Sequence, residues 1–217
     1  MADYARRRST MVDTQVRPSD VTKFPIIEAM LSIPREEFVP SGKREAAYVG
    51  ENIDLGGGRV VLEPRTLAKM LEAVDIQPDE MVLDIGAGHG YSSALAAHLA
   101  EAVIALEEVP DLAREAERAL AEAGSDNVAV VEGALTEGAA RHGPYDVILV
   151  QGAVQRMPET ITDQLKDGGR IVAIFLEGAL GVVRVGYRID GQMTWRFAFN
   201  AGAPVLSGFE ASRAFVL

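Results

Sequence analysis

The spacing of hydrophobic positions changes character along this chain, and each change predicts a different kind of element. Val21, Phe24, Ile27, Met30 and Leu31 recur at helical intervals, so the first 40 residues read as helical, broken at Pro18, and packed on the core as an N-terminal addition. Pro34 and Pro40 bracket an extended stretch through Phe38 and Val39. Gly56, Gly57 and Gly58 read as a flexible loop. Glu63-Pro64 opens a helix whose Leu67, Met70, Leu71 and Val74 share a face, ended by the turn Gln77-Pro78-Asp79. The pattern then alternates: strand 81–85, helix 91–100, strand 102–106, helix 111–123 stopped by Gly124, strand 128–131, strand Asp146–Val150, helix Pro158–Leu165, a turn at Asp167-Gly168-Gly169, and strand Arg170–Phe175. Such alternation predicts a parallel sheet covered on both faces. Beyond 180 the pattern is strand only, Val182–Ile189 and Met193–Phe199, joined by the hairpin dipeptide Asp190-Gly191. Trp195 falls among the sheet residues.

The expected fold is therefore α/β: a mostly parallel sheet with helices on both faces, a C-terminal antiparallel hairpin and an N-terminal helical addition. A length of 217 residues with 48% hydrophobic composition suits one domain. Its expected parts are an N-terminal region over 1–62, an α/β core over 63–180 and the hairpin region over 181–217.

Composition narrows the chemistry. With no cysteine, thiolate metal sites, disulfides and a cysteine nucleophile are excluded, and His89, His98 and His142 lack paired ligand spacing, so no metal is expected. Arg6, Arg7 and Arg8 have no apolar segment behind them, no stretch approaches ~18 apolar residues, and a cytoplasmic protein without a membrane partner is expected. The three arginines read as a solvated helix face. A formal net charge of −11 disfavours polynucleotide partners, which are bound through cationic side chains.

The candidate chemistry lies in Val82-Leu-Asp-Ile-Gly-Ala-Gly-His-Gly-Tyr91, where an apolar strand runs into three alternate glycines and then a helix. Glycine lets the backbone bend and a ligand approach the main chain, and the first amides of the helix remain free to donate. Glu107, at the end of the next strand and 23 positions after Asp84, stands where a carboxylate accepts the two ribose hydroxyls of a nucleoside. The bland alternatives are an ordinary tight turn and a solvated strand end.

Nicotinamide-binding turns carry Gly-x-Gly-x-x-Gly, whereas position 91 here is tyrosine. The spacing Gly-x-Gly-x-Gly after an acidic strand residue resembles the S-adenosylmethionine loop of Rossmann-like class I methyltransferases. Ile33-Pro-Arg-Glu-Glu-Phe-Val-Pro40, Ala47-Tyr48, Pro64, Val82 to Ser92, Glu107, the strand at 146–150 and Asp167-Gly168-Gly169 together resemble, over roughly residues 10–175, the protein-L-isoaspartate O-methyltransferase family.

That resemblance implies methyl transfer from S-adenosyl-L-methionine to the free carboxylate of isoaspartyl residues in damaged protein or peptide. It implies a cofactor site of Asp84, Gly86, Ala87, Gly88, Gly90, Tyr91, Ser92, Glu107, Gly133, Ala134 and Gln151. No catalytic residue is assigned, because an ionised carboxylate needs no general base. The family's Thr-Ile-Ser-x-Pro reads Val60-Val61-Leu62-Glu63-Pro64 here, leaving Arg59 and Arg65 beside Leu62 as substrate-loop candidates, with solvated loop arginines as the bland alternative. Its Gly-Asp-Gly acidic position is Ala134, and Gln151 stands where the family has a small hydroxyl residue, either lining the substrate side or capping the strand end. Methylation of another carboxylate, or cofactor binding with little or no turnover, are the alternatives.

Overall fold

A computed structural model describes residues 3–211; residues 1–2 and the expected hairpin region's last residues, 212–217, lie outside the described residues. Helix α1 (Tyr4–Met11) runs through a π-helical turn, Val12–Val16, into a short 3-10 turn, Arg17–Ser19, that contains Pro18. Helix α2 (Phe24–Ser32) follows and buries Ile26, Ile27, Ala29 and Met30. The predicted helical N-terminal addition is thus present. Two local expectations are corrected. Arg35–Phe38 is a 3-10 turn rather than extended, and Gly56–Gly58 belong to a hairpin rather than a loop: β1 (Ile53–Gly56) pairs antiparallel with β2 (Arg59–Val61). Gly56, Gly57 and Gly58 all have positive φ, so the tight return that joins the strands needs glycine.

Helix α3 (Pro64–Val74) starts on proline at its first position and stops at Asp75, which is left-handed at φ 51°. The main sheet has the order β5-β4-β3-β6-β7-β8-β9. Its strands are β3 (Met81–Ile85), β4 (Ala102–Glu107), β5 (Val128–Glu132), β6 (Tyr145–Val154), β7 (Leu165–Glu177), β8 (Leu180–Ile189) and β9 (Gln192–Asn200). β3 to β7 pair in parallel, and β8 and β9 close the sheet antiparallel through Asp190-Gly191, both with positive φ. Helices α4 (Tyr91–Leu99) and α5 (Pro110–Glu122) cross between β3, β4 and β5, and α6 is one turn, Glu159–Thr162, shorter than the expected 158–165.

Asp167-Gly168-Gly169 is not a turn before a strand but a bulge inside β7. Tyr145 faces Leu165 and Val147 faces Arg170, so the β7 side carries extra residues that Gly168 accommodates at φ 82°.

Strand residues alternate between two cores, as period two requires. Val82, Val103, Val147 and Leu149 pack toward α2, α3, α4 and α5, while Leu83, Ile85, Ile104, Leu106, Ile148 and Val150 pack toward Leu135, Ile161, Leu206 and Phe209. Because the strand order reverses at β3, with β4 and β5 laid down on one side and β6 on the other, a crevice is expected at the carboxyl ends of β3, β4 and β6.

Arg170 on β7 ties α3 to the sheet: its Nε donates to the Val74 carbonyl, Nη2 to the Asp75 carbonyl at 2.5 Å, and both terminal nitrogens to Glu80 at 2.6 and 2.8 Å. A cation on the last carbonyls of a helix is favourable, and this pair is largely withdrawn from water. Arg170→Ala should lower unfolding free energy by about 2–4 kcal/mol in urea denaturation, since Glu80 and two carbonyls lose their donor.

Candidate active site

The glycine turn follows β3 as expected, with Gly86, Gly88 and Gly90 at φ 77°, 58° and 89°. The amides of Gly86 and Ala87 both donate to the Leu106 carbonyl, at 2.9 and 3.2 Å, which backs the turn onto the end of β4. Gly90 precedes α4, and a methyl there would lie 3.0 Å from Leu120, so this glycine permits α4 to approach α5. Tyr91 does not join the crevice. It packs against Phe38, ring centroids 5.7 Å apart, beneath the Arg35 guanidinium at 4.8 Å, and burial pushes its phenol pKa up.

Asp84 is fully buried on β3. Its Oδ2 accepts from Ser92 and Ser93 Oγ, each at 2.6 Å, and its Oδ1 from Gln151 Nε2 at 2.7 Å. Burial raises its pKa despite these three donors. Ser93 is not among the residues expected from the sequence, although consecutive serines in the first turn of a helix facing a strand carboxylate are a visible signal. Gln151 does not cap a strand end, because β6 continues to Val154; it is a buried partner of Asp84.

Glu107 is likewise fully buried, which removes the reading of a solvated strand end. Its Oε1 accepts from the Glu108 and Val109 amides at 2.9 and 3.0 Å, and its Oε2 from the Gly88 amide at 2.9 Å. Arg59 Nε reaches both oxygens at 3.2 and 3.3 Å, and Arg59 Nη2 pairs with Glu108 at 2.5 Å. Arg59 is therefore not a solvated loop arginine; it is 1% exposed. Arg65 is the solvated one, near Glu63 at 3.9 Å and over the Phe199 ring.

Val60 and Leu62 are buried, and the Leu62 carbonyl accepts from Arg35 Nη2 at 2.8 Å. Arg35, wholly buried, also donates from Nε to the Ala47 carbonyl at 2.7 Å. It thereby fixes the segment before Pro64 against the segment before Tyr48. Arg8 is not part of a solvated face either: it pairs with buried Glu36 at 3.3 Å and donates to Tyr48 Oη at 3.1 Å, while Arg6 and Arg7 are exposed. Gly133, whose amide donates to the Glu107 carbonyl at 3.1 Å, is beside the crevice; Ala134 is exposed. A cavity of about 440 Å³ lined by Lys23, Ile26, Ile76, Pro78, His98 and Leu99 lies where the chain enters β3 and β4, and none of the predicted site residues lines it.

A parallel sheet with a switch in strand order, a glycine turn after its first strand and a buried acid at the tip of the next defines a Rossmann-like nucleoside-cofactor protein. Its fold is that of the Rossmann-like methyltransferases. The family model described as protein-L-isoaspartate(D-aspartate) O-methyltransferase matches residues 6–191, and the chain belongs to that family. A protein-L-isoaspartate O-methyltransferase of Methanoculleus marisnigri is 39% identical over 173 residues, 79% of each chain. A second, from Pelobacter propionicus, is 34% identical over 205 residues, 91% of each chain. Among solved structures, a protein-L-isoaspartate O-methyltransferase superposes with TM-score 0.81 at 26% identity, covering 93% of this chain and 66% of that one. A Plasmodium falciparum chain, described as a candidate member in complex with S-adenosyl-L-homocysteine, gives 0.80 at 17% identity over 95% of this chain and 99% of that one.

Two measurements check the electrostatics. Glu107→Gln should cost about 2–4 kcal/mol of stability in urea denaturation, because the buried amides and Arg59 Nε that face its two oxygens lose an ionised acceptor and one of those positions becomes a donor. Arg59→Met should cost less, since Glu107 keeps three amide donors. For Asp84 the folded pKa is raised, so between the usual value near ~4 and the folded one the native chain binds more protons than the unfolded chain, and stability falls as pH rises through that window. The stability of Asp84→Asn relative to the wild type should therefore increase from about pH 4 toward neutrality; a difference independent of pH would show that Asp84 is not strained by burial.

Proposed function

We propose that the protein methylates the free carboxylate of isoaspartyl residues in damaged proteins, using S-adenosylmethionine. The observation that carries this reading is the family match over residues 6–191, which contain the glycine turn and Glu107, joined to a sheet that sets that carboxylate beside the Gly88 amide. The backbone cradle and the acceptor set fit a nucleoside cofactor: two glycines with positive φ lie next to an acid whose oxygens accept from amide hydrogens. Glu107 would take the ribose hydroxyls, Gly86 and Gly88 would let the cofactor near the main chain, and Asp84 with Gln151 would fix the floor of the site. The cofactor, when bound, supplies an electrophilic methyl on a sulfonium centre. The protein's task is then placement of an ionised carboxylate in line with it, with no proton to move.

No described helix is long and apolar enough to cross a membrane. A cytoplasmic location and damaged protein or peptide substrates go with the reading, and the acidic net charge of −11 supports the absence of a polynucleotide partner.

Buried Val60 and Leu62 offer no donor to a substrate carboxylate, which favours slow turnover or another carboxylate as the second reading. Incubation with methyl-labelled S-adenosylmethionine and an isoaspartyl peptide, with its aspartyl twin as control, should give base-labile label on the isoaspartyl peptide alone. Leu62→Ser should raise that rate roughly tenfold, the worth of one hydrogen bond made in the transition state, while costing about 2–4 kcal/mol of stability. Label on other carboxylates and none on the isoaspartyl peptide would favour the second reading.

A further inference from the structure

Two pieces of chain from outside the βα turn converge on it and fill the space above it. The first is the β1–β2 hairpin, which contributes Leu55 and Arg59. A methyl built on Gly88 would lie 2.5 Å from Leu55 Cδ1, so Leu55 stands on the glycine whose bare backbone a cofactor would approach. The second is the strap Pro204–Phe209, which contributes Leu206, wholly buried. A methyl on Gly86 would meet Leu206 at 3.4 Å, and one on Gly152 would meet it at 2.6 Å. The strap is hydrogen-bonded along the end of β6: the Ala153 amide donates to the Pro204 carbonyl at 2.8 Å, the Leu206 amide to the Ala153 carbonyl at 2.9 Å, and the Gln155 amide to the Phe209 carbonyl at 2.9 Å. Asn52, just before the hairpin, donates to the carbonyl of Gly202, just before the strap, and accepts from the Glu63 amide, both at 2.8 Å.

Glu107 gives the electrostatic half of the same picture. A carboxylate offers about four lone-pair positions, and among the described residues the Gly88, Glu108 and Val109 amides and Arg59 Nε take them. Two ribose hydroxyls find no acceptor there unless a donor leaves. Three of the donors belong to the main chain of the turn and strand end, so the one that can leave is Arg59. It has a second anchor, since Nη2 already holds partly exposed Glu108. Exchange therefore does not strand a buried guanidinium.

We propose that the β1–β2 hairpin and the Pro204–Phe209 strap are an intramolecular cover of the cofactor site, with Arg59 as its lock on Glu107 and Leu55 and Leu206 as its fillers. A nucleoside cofactor enters by displacing them. This rests on the cofactor reading above. Cofactor affinity is then reduced by the fraction of molecules that are covered, and weakening the cover restores it.

The test is titration with S-adenosylhomocysteine by calorimetry, joined to amide hydrogen exchange. Arg59→Gln and, separately, Leu206→Ala should each tighten binding roughly tenfold or more, and each variant's circular dichroism checks that it is folded. Saturating S-adenosylhomocysteine should slow exchange at residues 84–93 and speed it over 53–61 and 204–209. Unchanged or weaker binding in both folded variants, or slowed exchange over 53–61 and 204–209, would overturn the cover and show these segments to be part of the cofactor's own contacts. Wild type and both variants folded yet without binding would instead overturn the cofactor reading, and the cover with it.

Discussion

The carboxylate of Glu107, buried to zero exposure at the tip of β4, is the constraint around which the crevice is organised. An isolated charge there would cost several kcal/mol, so the chain surrounds it with donors. The turn after β3 is bent until the Gly88 amide points at it, the chain after β4 is bent until two further amides do, and the hairpin is docked until Arg59 reaches it. These donors come from three different local elements. Removing the charge would free the glycine turn, the start of α5 and the hairpin together.

Asp84 repeats the device one strand away with neutral partners. Two serine hydroxyls from α4 and one amide from β6 hold it, so the carboxylate joins the helix that follows its own strand to the strand beside it. Arg35 does the corresponding work outside the sheet, gripping two carbonyls and covering Tyr91. The site is thus a set of backbone bends held by buried ionisable groups.

Local periodicity and turn chemistry made the βα core legible: β3, β4, α5 and the final hairpin fall within a residue or two of their expected bounds, and the glycine turn after β3 lies against Glu107 at the end of β4 through the Gly88 amide. What could not be read depends on pairing between distant segments. Arg59 lies 48 residues from Glu107, and neither residue's neighbours announce the other. A run of three glycines looks like a loop until a partner strand is known, and a bulge of Asp167-Gly168-Gly169 looks like a turn until its register against β6 is known. The strap from Pro204 has no periodicity, because one buried side chain every few residues suffices to hold it.

The two departures from the family pattern in the segment before Pro64 bear on how firmly the cover sits. All three residues of β2 are buried, as is Leu62, and β2 packs against β6. A buried valine or leucine contributes about 1.5–3 kcal/mol relative to exposure, whereas a hydroxyl at the same place would need its own hydrogen-bond partner or lose that much on burial. Replacing hydroxyl residues by Val60 and Leu62 therefore acts twice. On the proposed reading it leaves the substrate side without side-chain donors, and it deepens the docking of the hairpin that carries Arg59 to Glu107, so that the proposed weaker carboxylate recognition and the proposed tighter cover rest on the same hydrocarbon.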